Sequence, residues 1–192
     1  MIALVLGLAL FLGPHSIRIV ADDWRSAQIA RLGEPAWKGA YSLLSIVGLV
    51  LIVWGYGQAR TTPVELWNPP VWSRHLASLF TLVAFVLLAA TYVPRNHVRR
   101  AIGHPMVAGV ALWAFAHLLA NGRLADLVLF GAFLVWSVLS FLAGRRRDAR
   151  SGTLRSAGTW SGDATALVIG IGLWALFAFQ LHGWLFGVRP FG

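Results

Sequence analysis

Apolar residues along this chain gather into six long stretches that short polar segments separate. A helix needs about 20 apolar residues to cross the ~30 Å hydrocarbon core of a bilayer, and the six stretches have lengths near that value. The pattern therefore predicts an all-α fold, a polytopic membrane helix bundle of about six transmembrane helices. No internal repeat divides the chain, so residues 1–192 are expected to form a single transmembrane domain. The predicted spans are residues 2–20, 39–58, 75–93, 105–121, 124–143 and 164–187.

The segments between the predicted spans are polar and predict different turns. Residues 22–38 are predicted to form a polar loop, and residues 61–73, with three prolines and two tryptophans, an ordered turn at the membrane interface. Residues 121–123 are so few that the spans beside them must form an antiparallel hairpin. Residues 144–162 are the longest hydrophilic segment and are predicted to be the most mobile, because they offer nothing apolar to pack.

Small residues let membrane helices approach closely, and four glycines are interpreted in this way: Gly48, Gly55, Gly170 and Gly172.

Composition supports the membrane interpretation and excludes other classes of protein. Apolar residues make up 58% of the chain and charged residues 12%, whereas soluble domains are roughly 25% charged. A soluble core of this size cannot hide so many apolar side chains, and a disordered chain contains far fewer of them. The sequence has no cysteine, which excludes disulfides, thiolate metal sites and cysteine nucleophiles.

The basic residues are distributed unevenly between the two sides of the predicted membrane. Twelve of the 16 Lys and Arg residues fall in the first, third and fifth polar segments, which share one side of a six-span protein. The positive-inside rule places that side in the cytoplasm and both termini outside it. The net charge of +9 is therefore interpreted as a topology signal, with the lipid bilayer as the partner and no nucleic acid.

Histidines are the main ionisable residues within the predicted spans. His117 lies near the end of the fourth span, one helical turn after Trp113. Neutral imidazole is the commonest metal ligand in proteins, so this pair predicts either a metal or haem ligand beside an aromatic wall, or a histidine that hydrogen-bonds a neighbouring helix. Both interpretations remain open from spacing alone.

Three further histidines are candidate site residues. His15 follows Pro14, which is predicted to kink the first span and aim the imidazole into the bundle, although a histidine that caps a helix end is equally consistent with the sequence. His104 precedes Pro105 at the start of the fourth span. His75 lies near the opposite side of the membrane. We expect His97 to be solvated in a basic loop.

Two segments resemble the NnrU family. They are Gly13-Pro14-His15-Ser16-Ile17-Arg18, and Gly103-His104-Pro105-Met106 running to Ala116-His117-Leu118-Leu119-Ala120-Asn121-Gly122. Members of this bacterial family are linked to denitrification and nitric oxide metabolism and are similar to 15-cis-zeta-carotene isomerase, a membrane enzyme that holds haem b. The resemblance implies a protein of the bacterial inner membrane that binds haem b through the iron ligands His15 and His117, with Trp113 beside the cofactor. It does not carry a substrate over, because carotenoid chemistry belongs to one branch of these relatives, and an apolar, lipid-soluble substrate such as a polyene stays an open alternative.

Two other functions stay open beside haem-dependent isomerisation. The chain is also consistent with a non-enzymatic helper that binds haem or a partner protein during assembly of respiratory enzymes. The His104-Pro105 start also resembles membrane methyltransferases that use S-adenosylmethionine, but those enzymes carry paired glutamates in the following region. Residues 124–162 of this chain contain no glutamate, which counts against a methyltransferase.

The depths in the membrane expected for His15 and His117 differ, which is an objection to their ligating the same haem iron. At 1.5 Å per residue, His15 is expected about 7 Å from the cytoplasmic end of its helix and His117 about 18 Å from it. One haem requires both imidazoles on a common axis through the iron. If tilts and the Pro14 kink do not bring them together, depth instead pairs His15 with His104, and His117 with His75.

The charge distribution generates a test of topology. An alkaline phosphatase fused after Gly192 is expected to be active in a Gram-negative host, because that enzyme folds only outside the cytoplasm. The same reporter inserted near Arg150 is expected to be inactive. Reporter activity on colony plates and in cell extracts measures both fusions, and the reverse pattern contradicts the topology.

Overall fold

The computed structural model describes residues 1–191, which form helices joined by short turns. The predicted all-α fold is confirmed. The fourth long helix, α6, starts at a proline, which suits the first helical position because its missing N–H has no partner there. The helices are α1 Ile2–Val20, α2 Asp22–Leu32, α3 Glu34–Ala59, α4 Val71–Tyr92, α5 His97–Ile102, α6 Pro105–Ala120, α7 Leu124–Ser151, α8 Trp160–Leu176 and α9 His182–Phe186, with a π-helical segment Phe177–Leu181 joining the last two.

Among the described residues, five helices are long and apolar enough to cross a membrane: α1, α3, α4, α7 and the continuous helical run from α8 to α9. The apolar α6 has 16 residues and is shorter. Each of the six predicted spans is helical to within one residue of its ends. Large apolar side chains face outward along these helices, with exposed fractions of 61% for Val50 and 70% for Val168. Such surfaces are consistent with contact to lipid.

The long helices pack side by side in the order α3, α1, α7, α6, α4 and α8. The middle of this row holds the larger apolar core, in which α7 lies between α1 and α6. Leu4 and Leu8 of α1 meet Phe130 of α7, and the small Ala114 of α6 lets the helices approach. A second cluster joins α4 to α8 through Ala90 and Ala166.

Glycine lets α8 approach α4 at one level of the bundle. A Cβ atom added to Gly170 would lie 2.6 Å from the Cα of Val86, which is closer than two carbon atoms pack. Gly48 and Gly55 of α3 meet the backbone of α1 in the same way. The prediction of close packing is therefore confirmed for these three glycines. It is wrong for Gly172, because an added Cβ there meets nothing within 4 Å.

The predicted interfacial turn of residues 61–73 is ordered by the α6–α7 hairpin. The backbone N–H of Leu66 donates to the carbonyl of Gly122 at 2.8 Å, and the N–H of Leu124 donates to the carbonyl of Val64 at 2.9 Å. Gly122 permits this approach, because a Cβ there would overlap the carbonyl oxygen of Trp67. The antiparallel hairpin predicted from the short 121–123 segment is also confirmed.

Two polar segments were predicted as loops and are largely helical. Residues 22–32 form α2, which begins with two acidic residues that favour a helix N-terminus. The arginine-rich part of 144–162 continues α7 to Ser151, because arginine and alanine are strong helix formers. Polar contacts then hold the rest: Arg155 pairs with Asp148, and the Thr159 N–H donates to the carbonyl of Arg95 at 2.7 Å. The expectation of a loop is therefore wrong for residues 144–151, whereas the mobility expected of residues 152–159 stays a prediction.

The three basic segments meet at one end of the bundle, which we call the basic end. The Arg147 guanidinium, on the last part of α7, donates to the carbonyl of Arg18 at the end of α1. The contact between Thr159 and Arg95 joins the fifth segment to the third. The structure thus brings together the first, third and fifth polar segments, which six alternating spans place on the same side of a membrane.

The glycine contacts predict opposite effects for two substitutions on the same helix. Gly170→Ala is expected to destabilise the protein by about 1–3 kcal/mol, because the methyl group must push α8 away from α4. Gly172→Ala is expected to be neutral or to stabilise by up to about 1 kcal/mol, because alanine favours a helix over glycine and space is open there. Thermal unfolding of both variants in the same detergent measures the difference, and equal effects would contradict the packing.

Candidate functional site

His15 faces the interior of the bundle from α1, between α3 and α7. Helix α1 runs without interruption through Pro14. The His15 ring stacks on Phe11 with centroids 4.5 Å apart, and it contacts Tyr41 of α3 and Trp136 of α7. Its Nδ1 lies 2.6 Å from the carbonyl oxygen of Phe11. An Nδ1–H that donates to this carbonyl leaves the Nε2 lone pair available.

His117 repeats this arrangement on α6. Its Nδ1 lies 2.8 Å from the carbonyl oxygen of Trp113, four residues earlier in the helix. The ring stacks on Phe130 of α7, with centroids 4.5 Å apart, and lies 5.1 Å from the Trp113 ring. The expected proximity of His117 and Trp113 is thus present. The amide of Asn121 donates to the backbone carbonyl of His117 and does not touch its imidazole.

Aromatic side chains connect the two histidines across α7. From the Phe11 ring beside His15, contacts lead to Phe133 at 5.9 Å and from there to Trp113 beside His117 at 5.7 Å. The α7 residues that touch the two imidazoles, Trp136 and Phe130, are six positions apart. At 1.5 Å per residue the histidines therefore meet α7 at levels about 9 Å apart. This offset agrees with the difference in depth expected from the sequence.

One buried polar atom near His15 has no partner. Within residues 1–191, the indole Nε1 of Trp136 is buried and no acceptor lies within hydrogen-bond distance. The Trp136 ring stands edge-on to His15 with centroids 5.9 Å apart. Buried donors nearly always find an acceptor, so an orphan of this kind marks a position where a bound group can supply one.

The structure does not bring together the two alternative pairs expected from membrane depth, which are His15 with His104 and His117 with His75. His104 caps α6, where its Nε2 lies 2.9 Å from a carboxylate oxygen of Asp148 and its ring packs on Gly144. His75 is exposed near the start of α4. In the part of the chain that the structure describes, the rings of His15 and His104 make no contact, nor do those of His117 and His75.

The remaining two histidines have partners of their own. His97, expected to be solvated, has a side chain that is 44% exposed and also binds Asp163 through both its backbone N–H and its Nδ1, at 2.7 and 2.6 Å. His182 is packed against Phe177 and Phe186, and its Nδ1 lies 2.7 Å from the carbonyl oxygen of Val188.

Sequence reasoning missed a buried carboxyl close to His117. Asp126 is 3% exposed, and its Oδ1 accepts a hydrogen bond from the hydroxyl of Tyr56 on α3 at 2.5 Å. Its Oδ2 accepts from the backbone N–H of Arg123, which caps the start of α7. Asp126 lies one helical turn before Phe130, the ring that stacks on His117. The signal in the sequence was an acidic residue at the third position of a helix, where it caps the backbone.

The described residues offer separate imidazoles and no cluster of metal ligands. No group of three or more His, Cys, Asp or Glu side chains suited to a metal ion occurs among residues 1–191. His15 and His117 each offer one Nε2 in an aromatic setting, and imidazole is a donor that suits a haem iron. The rings of Phe11, Phe133 and Trp113 lie between the two imidazoles.

The apolar helices and their packing define a polytopic helical membrane protein. A family model described as "NnrU protein" matches residues 3–190, and the chain therefore belongs to the NnrU family. The resemblance noted in the sequence is confirmed. Searches against curated proteins and against solved structures find no match.

The Tyr56–Asp126 hydrogen bond predicts a strong energetic coupling between α3 and α7. Tyr56→Phe is expected to destabilise the protein by about 1–3 kcal/mol, because it leaves a buried carboxyl oxygen without its donor. Tyr92→Phe is the control, since Tyr92 is 75% exposed. A double-mutant cycle with Asp126→Asn, followed by thermal unfolding in detergent, measures the coupling. Additive effects of the two substitutions would contradict it.

Proposed function

We propose that this NnrU-family chain is an integral membrane haem protein, and that His15 and His117 would hold haem b through their imidazoles. The observation that carries the proposal is the shared geometry of the two imidazoles. Each Nδ1 is held by the carbonyl four residues earlier in its own helix, and each Nε2 is left without a partner among the described residues.

This geometry is the one that supports a histidine ligand. Ligating histidines typically give their second ring nitrogen to a carbonyl or carboxylate, which fixes the tautomer and the orientation of the ring. His97 and His104 differ from this pair, because each engages a carboxylate on another element. The aromatic rings around His15 and His117 would exclude water from the iron and contact the porphyrin faces.

Two tryptophans have distinct roles in the proposed site. Trp113 lies beside His117 and would pack against the macrocycle. Trp136 lies beside His15, and its buried indole N–H would donate to an oxygen of the cofactor or of a bound ligand. When bound, haem b supplies a redox-active iron, while these residues supply its orientation and a dry surrounding.

The resemblance supports two roles for a haem site in this bundle, one in nitric oxide metabolism during denitrification and one in cis–trans isomerisation of an apolar polyene. A turnover assay with a cis-carotene distinguishes the isomerase from a non-enzymatic helper in respiratory enzyme assembly, since only an isomerase changes the polyene. The bacterial inner membrane, with both termini outside the cytoplasm, is the proposed location. A methyltransferase is disfavoured, because residues 124–162 carry no glutamate.

The proposal predicts the absorption spectrum of the purified protein. Protein from haem-replete cells is expected to show a Soret band, because the porphyrin of a bound haem absorbs in that region. His15→Ala and His117→Ala are each expected to abolish the band or convert it to a high-spin spectrum. His75→Ala is the matched control, because His75 is exposed, and His104→Ala and His182→Ala complete the series.

Three results would contradict the assignment. A colourless wild-type protein ends the haem proposal. Loss of the band in His75→Ala or His104→Ala assigns the site instead to the pairs expected from membrane depth, which are His117 with His75 and His15 with His104. Loss in His182→Ala assigns a ligand to the α9 end, where the Nδ1 of His182 is also held by a backbone carbonyl.

A further inference from the structure

A cavity of about 520 Å³ opens at the basic end of the bundle, away from His15 and His117. It lies where the last residues of α1 and α7 meet the start of α6. Basic and hydroxyl side chains dominate its lining, which consists of Arg18, His104, Arg147, Arg150, Ser151 and Thr153 together with Asp148.

The charge of this cavity is positive, because its carboxylate is already neutralised. The Oδ2 of Asp148 pairs with Arg155 and lies 2.9 Å from the Nε2 of His104. Three arginines remain at the cavity. Among residues 1–191, Arg18 alone of these three forms an ion pair: its Nε lies 3.9 Å from Asp22, which Arg25 shares at the same distance.

The backbone positions hydrogen-bond donors beside these arginines. One N–H of Arg147 donates to the carbonyl of Arg18 at 3.0 Å, which holds the guanidinium at the cavity wall. Gly152 ends α7 in the left-handed conformation, with φ of 60°, so that the chain turns back. The hydroxyls of Ser151 and Thr153 then lie 2.6 Å apart on the cavity lining. The N-terminus of α6, whose first N–H groups lack helical partners, begins beside them.

The cavity lies beyond the expected thickness of the hydrocarbon core. Helix α7 has 28 residues and is therefore about 42 Å long, whereas the core of a bilayer is ~30 Å thick. Arg147 and Arg150 lie in its last two turns, at the level where lipid headgroups are found. Arginine pairs readily with phosphate because its planar guanidinium donates two parallel hydrogen bonds.

We propose that this cavity binds a phosphate group, and that the phosphate belongs to the headgroup of an anionic phospholipid. The three arginines neutralise the phosphate. The Ser151 hydroxyl donates to the hydroxyl of Thr153, which leaves the Thr153 proton to donate to one of the remaining phosphate oxygens. The site is independent of haem, so the spectra described above test neither its presence nor its absence.

Lipid binding by the purified full-length protein in a neutral detergent tests the proposal. Native mass spectrometry would compare phosphatidylglycerol with phosphatidylcholine, and inorganic phosphate would be added as a soluble competitor. Phosphatidylglycerol is expected to bind at least about tenfold more tightly. Arg150→Gln is expected to weaken that binding about tenfold, which corresponds to about 1.4 kcal/mol, since it removes a charge-assisted hydrogen bond to phosphate.

The chain offers a matched control for this substitution. Arg146→Gln removes the same charge from the same part of α7, but Arg146 does not line the cavity. It is expected to leave phosphatidylglycerol binding within about twofold of the wild type. Thr153→Ala, compared with Ser156→Ala, tests the hydroxyl wall without a change of charge, and only the former is expected to weaken binding.

Each result decides for or against the site. Binding of inorganic phosphate that depends on Arg150, without a preference for phosphatidylglycerol, supports the phosphate site and assigns it to a soluble phosphate compound. Equal losses in Arg146→Gln and Arg150→Gln overturn the proposal, because they indicate general attraction between charges. Equal binding of the two lipids without an effect of phosphate overturns it as well.

Discussion

The packing of α7 between α1 and α6 is the contact on which the rest of this structure depends. Leu129 and Phe130 of α7 fill the space between Leu8 of α1 and Ala114 of α6, and this cluster is the largest buried apolar group among the described residues. In a bilayer the backbone of each helix satisfies its own hydrogen bonds, so side-chain packing decides which helices become neighbours. Because α1 and α6 both pack on α7, His15 and His117 face one aromatic surface although they lie 102 positions apart.

The two ends of α7 carry the polar chemistry of the bundle. At its first turn, Asp126 is buried against Tyr56 and caps the backbone of Arg123. At its last turns, the helix continues past the apolar core and presents Arg147 and Arg150 to the basic-end cavity. One long helix therefore joins a buried carboxyl, an aromatic layer with two histidines, and a basic cavity. A shift of α7 along its axis would change all three at once.

Much of the candidate site follows from short motifs in the sequence. The contexts of His15 and His117 identified both residues, and Trp113 is close to His117 because residues four apart share one face of a helix. The segments around Tyr56, Asp126 and Trp136 carry no comparable signal. Tyr56 and Asp126 are hydrogen-bonded to each other from different helices, and the buried indole N–H of Trp136 has no acceptor among the described residues. Contacts between elements that are distant in the chain cannot be read from a linear sequence.

The sequence by itself determined the class of this protein: its hydropathy fixes the apolar helices, and the alternation of these helices fixes which polar segments share an end. Local chemistry also set the hairpin at residues 121–123 and, through strong helix formers, the continuation of α7 to Ser151. Only the tertiary structure decided the order of the helices in the row, the contacts that order residues 61–73, and the difference between Gly170 and Gly172. The physical reason is that hydropathy describes how apolar the chain is along its length and does not specify which helices become neighbours. Which face meets which neighbour depends on shape complementarity between side chains that are distant in the chain.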